Sequence, residues 1–353
     1  AGVGAVGGAA VAGGTRRTAM LSAFDADDRG LLHCKDGDLM AQQQRWNANN
    51  SSVWATKRSQ VEVMEQLIDM HKGERGEPGI LSRYALSFTL PERRMNTIGA
   101  LDDVGINPCG EIWLKPFQFC NLSAVICRQD DTLGTLLEKV EIAAWIGTIQ
   151  SLATNFPNLR TEWQKNCEEE RLLGVDLNGQ MDCPTVRNAD VLTLLRAQAI
   201  DANHILAAAL GINPSAAVTC VKPSGNSSTL LGCSSGLHAR SAKFYTRRIR
   251  LSAHSPVYLV LRDAGVPLSP ENGQSHENAT TWVASFPIKS PDGAITRHDL
   301  SALQQLDHWK LNKVNYTEHN PSITVYYKPE ELLDICAWVW RNQEILGGIS
   351  FLP

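Results

Sequence analysis

The chain has 353 residues, of which 43% are hydrophobic and 20% charged, a balance typical of a globular protein with a large core. Its net charge of −4 gives no basic surface for nucleic acid, and its longest apolar run, at residues 1–14, is too short and too rich in glycine to span a bilayer. The nine cysteines are scattered, without the paired His and Cys spacing of a zinc site. We therefore predict no metal ligand, no membrane or nucleic-acid partner, and a reducing, cytoplasmic setting.

The first 20 residues alternate small residues with valine and lead into a glycine loop that carries two arginines. A strand followed by such a loop can place backbone amides and guanidinium groups against a nucleotide. We therefore interpret Gly14, Arg16 and Arg17 as nucleotide contacts. A flexible solvated turn is the alternative that the pattern leaves open.

Residues 25–76 are polar and predicted to be mostly helical, with a turn-rich break at residues 47–52. Apolar positions at helical spacing predict a helix over residues 61–71. A short strand is predicted to begin at Ile80, and residues 90–105 are predicted to be a polar linker.

Residues 107–120 place an amide, a thiol and a carboxylate within a few positions. The loop opens with the sequence NPCG, in which proline fixes its own φ and glycine tolerates a positive φ, so Cys109 is expected at the tip of a rigid loop. Asn107 and Glu111 flank that tip, and Cys120 closes the stretch. Such a cluster can abstract, donate and orient protons or hydrogen atoms at one substrate carbon. An apolar turn around a buried structural cysteine is the alternative.

Apolar strands and helices alternate after this loop. Strands are predicted at residues 122–127, 172–175 and 216–221, and helices at about 132–156 and 191–210. Thr132 is the expected N-cap of the first helix, and Gly211 the expected C-cap of the second. The acidic run at residues 168–170 is interpreted as a solvated helix end rather than a metal site, because no histidine accompanies it.

A loop rich in glycine and hydroxyl groups follows the strand at residues 216–221 almost at once. Backbone amides and side chains of such a loop can cradle phosphate, although the pattern lacks the lysine of a Walker loop and an ordinary polar turn is the alternative. The candidate phosphate contacts are Pro223, Ser224, Gly225, Asn226 and Ser227. His238, just beyond, is interpreted as a structural or surface histidine.

Further strands are predicted at residues 244–251, 282–288 and 323–327, and further helices at 255–264, 300–308 and 330–343. This alternation indicates an α/β fold with a parallel sheet and helices outside it. Active sites of parallel sheets lie at the carboxyl ends of the strands, so the Arg16 and Ser224 loops are expected to share one site.

The sequence Asn-Pro-Cys-Gly-Glu-Ile, with Cys-Asn-Leu-Ser starting eleven residues after its cysteine, resembles the active-site finger loop of ribonucleotide reductases. The short interval between Cys109 and Cys120 is most similar to the monomeric, adenosylcobalamin-dependent (class II) ribonucleoside-triphosphate reductases. The resemblance implies that Cys109 carries a transient thiyl radical and that Cys120 is half of a redox pair. It also implies that Asn107 and Glu111 hold and deprotonate the ribose hydroxyls.

The same resemblance implies part of a ten-stranded α/β barrel of two five-stranded halves, with a central finger loop. Residues 1–353 would supply mainly the second half of one catalytic domain, without its N-terminal part and C-terminal tail. Gly14, Arg16 and Arg17 would belong to the loop that couples an effector to the substrate base. Residues 223–227, together with Leu122, would bind the substrate, although Asn226 stands where the family usually has threonine.

The implied partners are a ribonucleoside triphosphate substrate, a deoxynucleotide effector, and thioredoxin or a similar dithiol reductant. The implied cofactor is adenosylcobalamin, for which no binding motif is readable in the sequence. A second redox thiol is expected outside the chain, so the 353 residues alone are not expected to sustain turnover. Two alternatives stay open: a glycyl-radical-type barrel enzyme, against which Glu111 and Cys120 argue, and a non-catalytic nucleotide-binding remnant.

Overall fold

The computed structural model describes residues 6, 19–37, 45–74 and 76–353. The predicted effector segment, with Gly14, Arg16 and Arg17, lies outside the described residues. Those that are described form a mixed α/β fold with thirteen strands in four sheets.

The strands of the described residues are β1 Leu21–Asp25, β2 Asn49–Trp54, β3 Gly79–Ser82, β4 Gly105–Ile106, β5 Trp113–Leu114, β6 Asn121–Ile126, β7 Leu173–Asn178, β8 Thr219–Cys220, β9 Phe244–Ser252, β10 Leu268–Pro270, β11 Thr281–Lys289, β12 Thr324–Tyr326 and β13 Gly348–Leu352. The α-helices are α1 Arg29–Leu32, α2 Gln60–Lys72, α3 Leu86–Thr89, α4 Glu92–Met95, α5 Leu133–Gln150, α6 Thr161–Glu170, α7 Ala189–Leu210, α8 Gly225–Leu230, α9 Pro256–Asp263, α10 Ala302–Asn315 and α11 Leu332–Arg341.

The largest sheet has the strand order β1-β2-β3-β13-β12. Strands β1, β2 and β3 run parallel to one another, β13 runs antiparallel to β3, and β12 runs parallel to β13. A second sheet, β6-β7-β8, is parallel throughout.

A parallel bridge between Val221 and Pro321 joins these two sheets, because Val221 continues β8 and Pro321 lies just before β12. Eight strands therefore form one continuous arrangement. Five of them, β6, β7, β8, β12 and β13, run in one direction, and β1, β2 and β3 run in the other. A closed ten-stranded barrel is not present in the described residues, so that expectation is confirmed only as far as a mixed α/β fold.

Two long helices lie beside the second sheet: α5 packs on β6 and β7, and α7 packs against α5. Helix α5 begins with a capping box at Thr132, as predicted, and ends at Gln150 rather than near residue 156. Helix α7 is capped by the Asn188 side chain and ends at Gly211, whose φ of +67° favours glycine. Their inward residues are fully buried and join the main hydrophobic core, including Leu136, Val140, Leu192 and Leu195.

A separate three-stranded sheet, β10-β11-β9, is antiparallel in both of its pairings. The prediction of a parallel sheet throughout is therefore wrong for this part of the chain. The two long strands at residues 244–252 and 281–289 were anticipated, but strand propensity does not determine strand direction.

The predicted break at residues 47–52 is wrong, because most of it belongs to β2. This polar strand pairs with β1 on one side and β3 on the other, so tertiary pairing overrides the turn propensity of its asparagines and serines. The prediction of a polar linker at residues 90–105 is also wrong in part. Helix α4 lies there, and it carries the fully buried Arg94.

The other predicted elements are confirmed with shifts of up to three residues at their ends, except that α10 ends at Asn315, seven residues beyond its predicted end. They correspond to α2, β3, β6, β7, α7, β9, α9, β11, α10, β12 and α11. The strand predicted at residues 216–221 is buried along its length, but only Thr219–Cys220 pairs as a regular strand.

Candidate functional site

The hairpin formed by β4 and β5 carries the loop at residues 107–112. The Asn107 N–H donates to the carbonyl of Ile112 over 3.0 Å, and the Gly110 N–H donates to the carbonyl of Asn107 over 2.8 Å. Gly110 has a φ of +82°, a value that other residues rarely adopt. Cys109 therefore lies at the tip of a tightly closed loop, as expected from the sequence.

The Asn107 side chain holds the loop together from inside. Its Oδ1 accepts the backbone N–H groups of Glu111 at 3.0 Å and Ile112 at 2.9 Å. Its Nδ2 donates to Oε1 of Glu111 at 2.6 Å. Asn107 thus fixes both the backbone of the loop and the orientation of the carboxylate.

Three side chains from two other segments hold the outside of the loop. The Ser322 hydroxyl donates to the carbonyl of Cys109, and Asn320 Nδ2 donates to the carbonyl of Gly110 at 2.7 Å. Asn49, at the start of β2, donates to the carbonyl of Pro108 at 2.8 Å. The loop is therefore held by β2 on one side and by the segment just before β12 on the other. These contacts hold the Cys109 backbone in place.

Glu111 is fully buried, with a relative exposure of 0%, yet its two carboxylate oxygens have different surroundings. Oε1 accepts from Asn107 Nδ2 and from Nζ of Lys222. Oε2 is buried and has no hydrogen-bond partner among the described residues. Buried polar atoms are normally paired, so an unpaired carboxylate oxygen beside a thiol marks a position where a ligand hydroxyl can donate.

Lys222 and Asp176 form the polar floor beneath Glu111. The backbone N–H of Lys222 donates to Oδ1 of Asp176 at 2.6 Å. Burial raises the pKa of Asp176 to about 8, against the opposing effect of this hydrogen bond. Burial lowers the pKa of Lys222, but the attraction of Glu111 outweighs it and the pKa rises to about 12. Lys222 therefore stays a cation across the physiological range.

The sequence interpretation missed both residues, although signals for them exist. Asp176 is a charged residue inside a mostly apolar strand, β7. Lys222 directly precedes the predicted phosphate loop and shares a face with Cys220, because side chains alternate along a strand. Strand pairing places Asp176 opposite Cys220, which brings both polar groups to the face that the finger loop contacts.

Gly174 lets the finger loop approach this face closely. A Cβ atom there would lie 2.4 Å from Cδ2 of Leu122 and 3.1 Å from Cδ1 of Ile112. Leu122 pairs with Gly174 across β6 and β7, so this predicted substrate contact packs on the same face as the finger loop. Only glycine at position 174 leaves room for both neighbours.

Cys120 lies immediately before β6 and packs against an apolar cluster of Leu172, Ala216 and Ala217. Burial is the main cause that raises the pKa of its thiol well above the ordinary range. All nine cysteines lie in the described residues, and all are free thiols. Burial therefore favours the protonated thiol at Cys120.

The predicted phosphate loop continues into the short helix α8. Its Ser224 N–H donates to Oγ of Ser235 at 2.8 Å, and the Ser227 hydroxyl donates to the carbonyl of Ser224 at 2.9 Å. Arg247 of β9 brings a guanidinium group to the carbonyl of Gly225 at 3.2 Å. The Asn226 side chain lies outside the description. The hydroxyls thus stabilise the loop itself, and a cation stands beside it.

A cavity of about 310 Å³ connects the finger loop to this second loop. Its lining includes Cys109, Pro223, Ser322, Thr324 and Asn49. The lining mixes apolar residues with a few polar groups, and the partly exposed Cys109 lies among them, which suits a ligand of nucleoside size that carries both kinds of surface. His238, beside the cavity, is partly buried and accepts the Thr324 N–H at 3.0 Å, which favours its interpretation as a structural histidine.

A buried ionic network lies behind the finger hairpin. Arg94 and Glu170 are both fully buried and form an ion pair at 3.2 Å, and Arg94 also donates to the carbonyl of Trp113 at 2.8 Å. The interpretation of residues 168–170 as a solvated helix end is therefore wrong for Glu170. A carboxylate at the end of α6 is buried because a distant arginine meets it, which local sequence does not indicate.

The described part of the chain contains no cluster of three or more histidine, cysteine, aspartate or glutamate side chains arranged to hold a metal ion. Within the same residues, no helix combines the length and the apolar character needed to cross a bilayer.

No protein-family model matches the chain. Curated relatives do. The adenosylcobalamin-dependent ribonucleoside-triphosphate reductase of Lacticaseibacillus paracasei is 26% identical over 391 residues, which include 99% of this chain and 50% of that protein. The enzyme of the same name from Lactobacillus acidophilus is 28% identical over 399 residues, which again include 99% of this chain and 50% of that protein. The one from Euglena gracilis is 26% identical over 356 residues, which include 97% of this chain and 46% of that protein.

The resemblance read from the finger-loop motif is confirmed. A crystal structure of a B12-dependent (class II) ribonucleotide reductase matches 94% of this chain with a TM-score of 0.75, at 22% sequence identity, and this chain matches 50% of it. The reductase-like fold therefore extends over nearly all of the chain. The chain spans about half the length of the curated relatives it matches.

Proposed function

We propose that this chain carries the finger-loop half of an adenosylcobalamin-dependent ribonucleoside-triphosphate reductase. One observation carries the proposal: the loop tip places Cys109 in the lining of a cavity, two residues from a buried carboxylate whose Oε2 has no partner among the described residues. A ribose presents a carbon-bound hydrogen and a hydroxyl to such a pair. The similarity to named reductases along 99% of the chain supports the same conclusion.

In the proposed reaction, a thiyl radical at Cys109 takes the 3′ hydrogen atom of the ribose, and Glu111 takes the proton of the 3′-hydroxyl through Oε2. The 2′-hydroxyl then leaves as water, after it receives a proton from a thiol. Cys120 and a second thiol, one of which gave that proton, also give a hydrogen atom to C2′ and one electron to the substrate as they become a disulfide, and Glu111 returns its proton to the 3′-oxygen. Cys109 returns its hydrogen atom to C3′, so the sum is one ribonucleotide and two thiols converted to one deoxyribonucleotide, one disulfide and one water.

Asn107 positions these groups. Its side chain holds Glu111 and the loop backbone together at 2.6–3.0 Å, so the thiol and the carboxylate move as one unit. Preorganisation of this kind lowers the entropic cost of reaching the reactive geometry. Leu122, Pro223, Ser224, Gly225, Asn226 and Ser227 are proposed to surround the base and phosphates, with Arg247 adding positive charge nearby.

Adenosylcobalamin, when bound, supplies the radical that Cys109 receives. The cavity at Cys109 measures about 310 Å³, and a corrin ring with its adenosyl and nucleotide groups is far larger than that volume. The described residues therefore enclose at most the part of the cofactor that faces the thiol. Residues elsewhere would hold most of it.

The remaining partners follow from the same proposal. The substrate is a ribonucleoside triphosphate, a deoxynucleotide effector acts through Gly14, Arg16 and Arg17, and thioredoxin or a similar dithiol reduces the disulfide in the cytoplasm. The chain would form part of one larger barrel domain of two five-stranded halves. The five strands of common direction, β6, β7, β8, β12 and β13, support this.

The test replaces Cys109 with serine in the protein as its gene encodes it. With ribonucleoside triphosphate, adenosylcobalamin and dithiothreitol, we expect the wild type to form deoxynucleotide. We expect Cys109→Ser to form none while it still binds nucleotide, because a hydroxyl does not yield its hydrogen atom as a thiol does. Cys34→Ser, at another partly exposed cysteine, is the control and should keep turnover. Reduction by the Cys109→Ser variant, or none by the wild type, would contradict the proposal.

A further inference from the structure

Lys222 is a charged residue of the site to which the reaction above gives no role. Its Nζ donates to Oε1 of Glu111, the same oxygen that Asn107 holds. The lysine side chain is 27% exposed, whereas Glu111 is 0% exposed, so the lysine reaches from a partly exposed position to a carboxylate inside the protein. It also lies close enough to the Cys109 thiol to interact with it electrostatically.

A buried carboxylate stays ionised only when a partner offsets the loss of hydration. Asn107 is a neutral donor and does so only in part. Among the described residues, Lys222 forms the one ion pair with Glu111. Glu111 can act as a base only in its ionised form, so the availability of that base depends on the lysine.

The other titratable groups around Glu111 do not replace this cation. Asp176 lies on β7 beneath it, Cys220 on β8, Cys109 in the loop, and Cys120 at the start of β6, and all of these are acids. Arg94 interacts with Cys120 and is already paired with Glu170 behind the hairpin. Removal of the Lys222 charge would leave the carboxylate among neutral and acidic groups.

The backbone of Lys222 adds a second link. Its N–H is fixed by Asp176 at 2.6 Å, and the residue stands directly before Pro223, where the proposed phosphate loop begins. One residue therefore connects the group that would hold the ribose hydroxyl to the loop that would hold the phosphates. This connection sets the distance between the two subsites of a nucleotide.

We propose that Lys222 is a positioning residue that keeps Glu111 ionised and leaves its Oε2 directed at the ribose 3′-hydroxyl. This inference rests on the proposed function. Lys222 acts through Glu111, while Asp176 and the phosphate loop fix the lysine itself.

The first test is the pH dependence of turnover in the protein as its gene encodes it. In Lys222→Met the acidic limb of kcat should move to higher pH by about 1–3 units, because loss of an adjacent cation favours the protonated carboxyl group. Lys222→Arg keeps the charge and should restore most of the wild-type limb. Lys139→Met is the matched control: it removes a lysine from another buried carboxylate, Asp131, at 2.7 Å, and should leave the limb unchanged.

The second test does not depend on activity. A ¹³C-carboxyl NMR titration, with Glu111→Gln used to assign the signal, should show the Glu111 pKa raised in Lys222→Met and near wild type in Lys222→Arg. An unchanged Glu111 titration in an otherwise active enzyme would overturn the role of Lys222. A wild type without reductase activity would overturn the proposed function, whatever the titration shows.

Discussion

Glu111 and Glu170 are two glutamates with a relative exposure of 0%, and they differ in how their oxygens are paired. Both oxygens of Glu170 accept hydrogen bonds: Oε1 from Thr97 at 2.7 Å, and Oε2 from Gln118 at 2.6 Å and Arg94 at 3.2 Å. Glu111 accepts only through Oε1, and its Oε2 has no partner within the described residues. The difference separates a group that maintains the fold from one that is available to a ligand.

The satisfied network has a clear structural purpose. Burial opposes ionisation of Glu170, but Arg94 and the hydrogen bonds from Gln118 and Thr97 outweigh it and lower the pKa of Glu170. Because Arg94 also donates to the carbonyl of Trp113, the network holds β5, the strand that follows the finger loop. Glu170, whose oxygens are both paired, thus stabilises the strand next to the loop that carries Glu111.

The largest expected effect comes from exchanging each glutamate for glutamine. Glu170→Gln leaves Arg94 buried without a counter-charge, so we expect a loss of about 3–5 kcal/mol in the free energy of unfolding. Glu111→Gln should lower turnover by about 10²–10⁴-fold, as loss of a general base does, with a smaller change in stability because Lys222 reaches solvent. Urea unfolding and steady-state turnover, both measured on each variant, check the pair.

Each variant serves as the control of the other, because the substitution is chemically identical. The comparison fails if Glu111→Gln is the more destabilised protein. It also fails if Glu170→Gln, once folded, loses turnover to the same extent as Glu111→Gln.

A smaller effect is expected where the finger loop meets the sheet. Gly174→Ala adds a methyl group 2.4 Å from Leu122 and 3.1 Å from Ile112, the neighbour of Glu111. Overpacking of this kind costs about 1–3 kcal/mol, and it should also lower turnover because it displaces the loop. Gly134→Ala, in the first turn of α5, is the control: its Cβ would lie 3.8 Å from Oγ1 of Thr132, and the substitution should be neutral or stabilising. Equal melting temperatures for the two variants would refute this packing argument.

The smallest effect concerns the proposed phosphate loop, where hydroxyls already have hydrogen-bond partners within the protein, as the carboxylate oxygens of Glu170 do. The Ser227 hydroxyl already donates to the carbonyl of Ser224, so Ser227→Ala should leave nucleotide affinity nearly unchanged. Gly225 has a φ of +27°, so Gly225→Val strains the loop and should weaken nucleotide binding about tenfold or more. Isothermal titration of both variants with a ribonucleoside triphosphate checks the order, and unchanged affinity in Gly225→Val would argue against a phosphate role for the loop.

Local sequence was sufficient wherever the relevant interactions are local. Thr132 caps α5 through its own first turn, Gly211 ends α7 in the left-handed region, and Asn107 and Gly110 close the finger loop within six residues. The resemblance carried by this loop also identified the family of similar proteins. Features that depend on a few consecutive residues can be predicted from the sequence alone.

Interactions between distant segments could be predicted from the sequence only in part. The polar strand β2 was mistaken for a turn because its stability comes from pairing with β1 and β3. The antiparallel direction of β9 and β11 depends on pairing in the same way. Propensity describes a residue's preference in isolation, and strand pairing can reverse it.

The sequence by itself determined the candidate thiol, its flanking amide and carboxylate, and most helices, because these depend on neighbours along the chain. Tertiary structure alone decided that Lys222, 111 residues after Glu111, is the cation that pairs with it. Tertiary structure likewise decided that Glu170 is buried against Arg94, 76 residues away. Burial and charge pairing depend on position in space. The local sequence of one segment therefore does not indicate which distant segment it will contact.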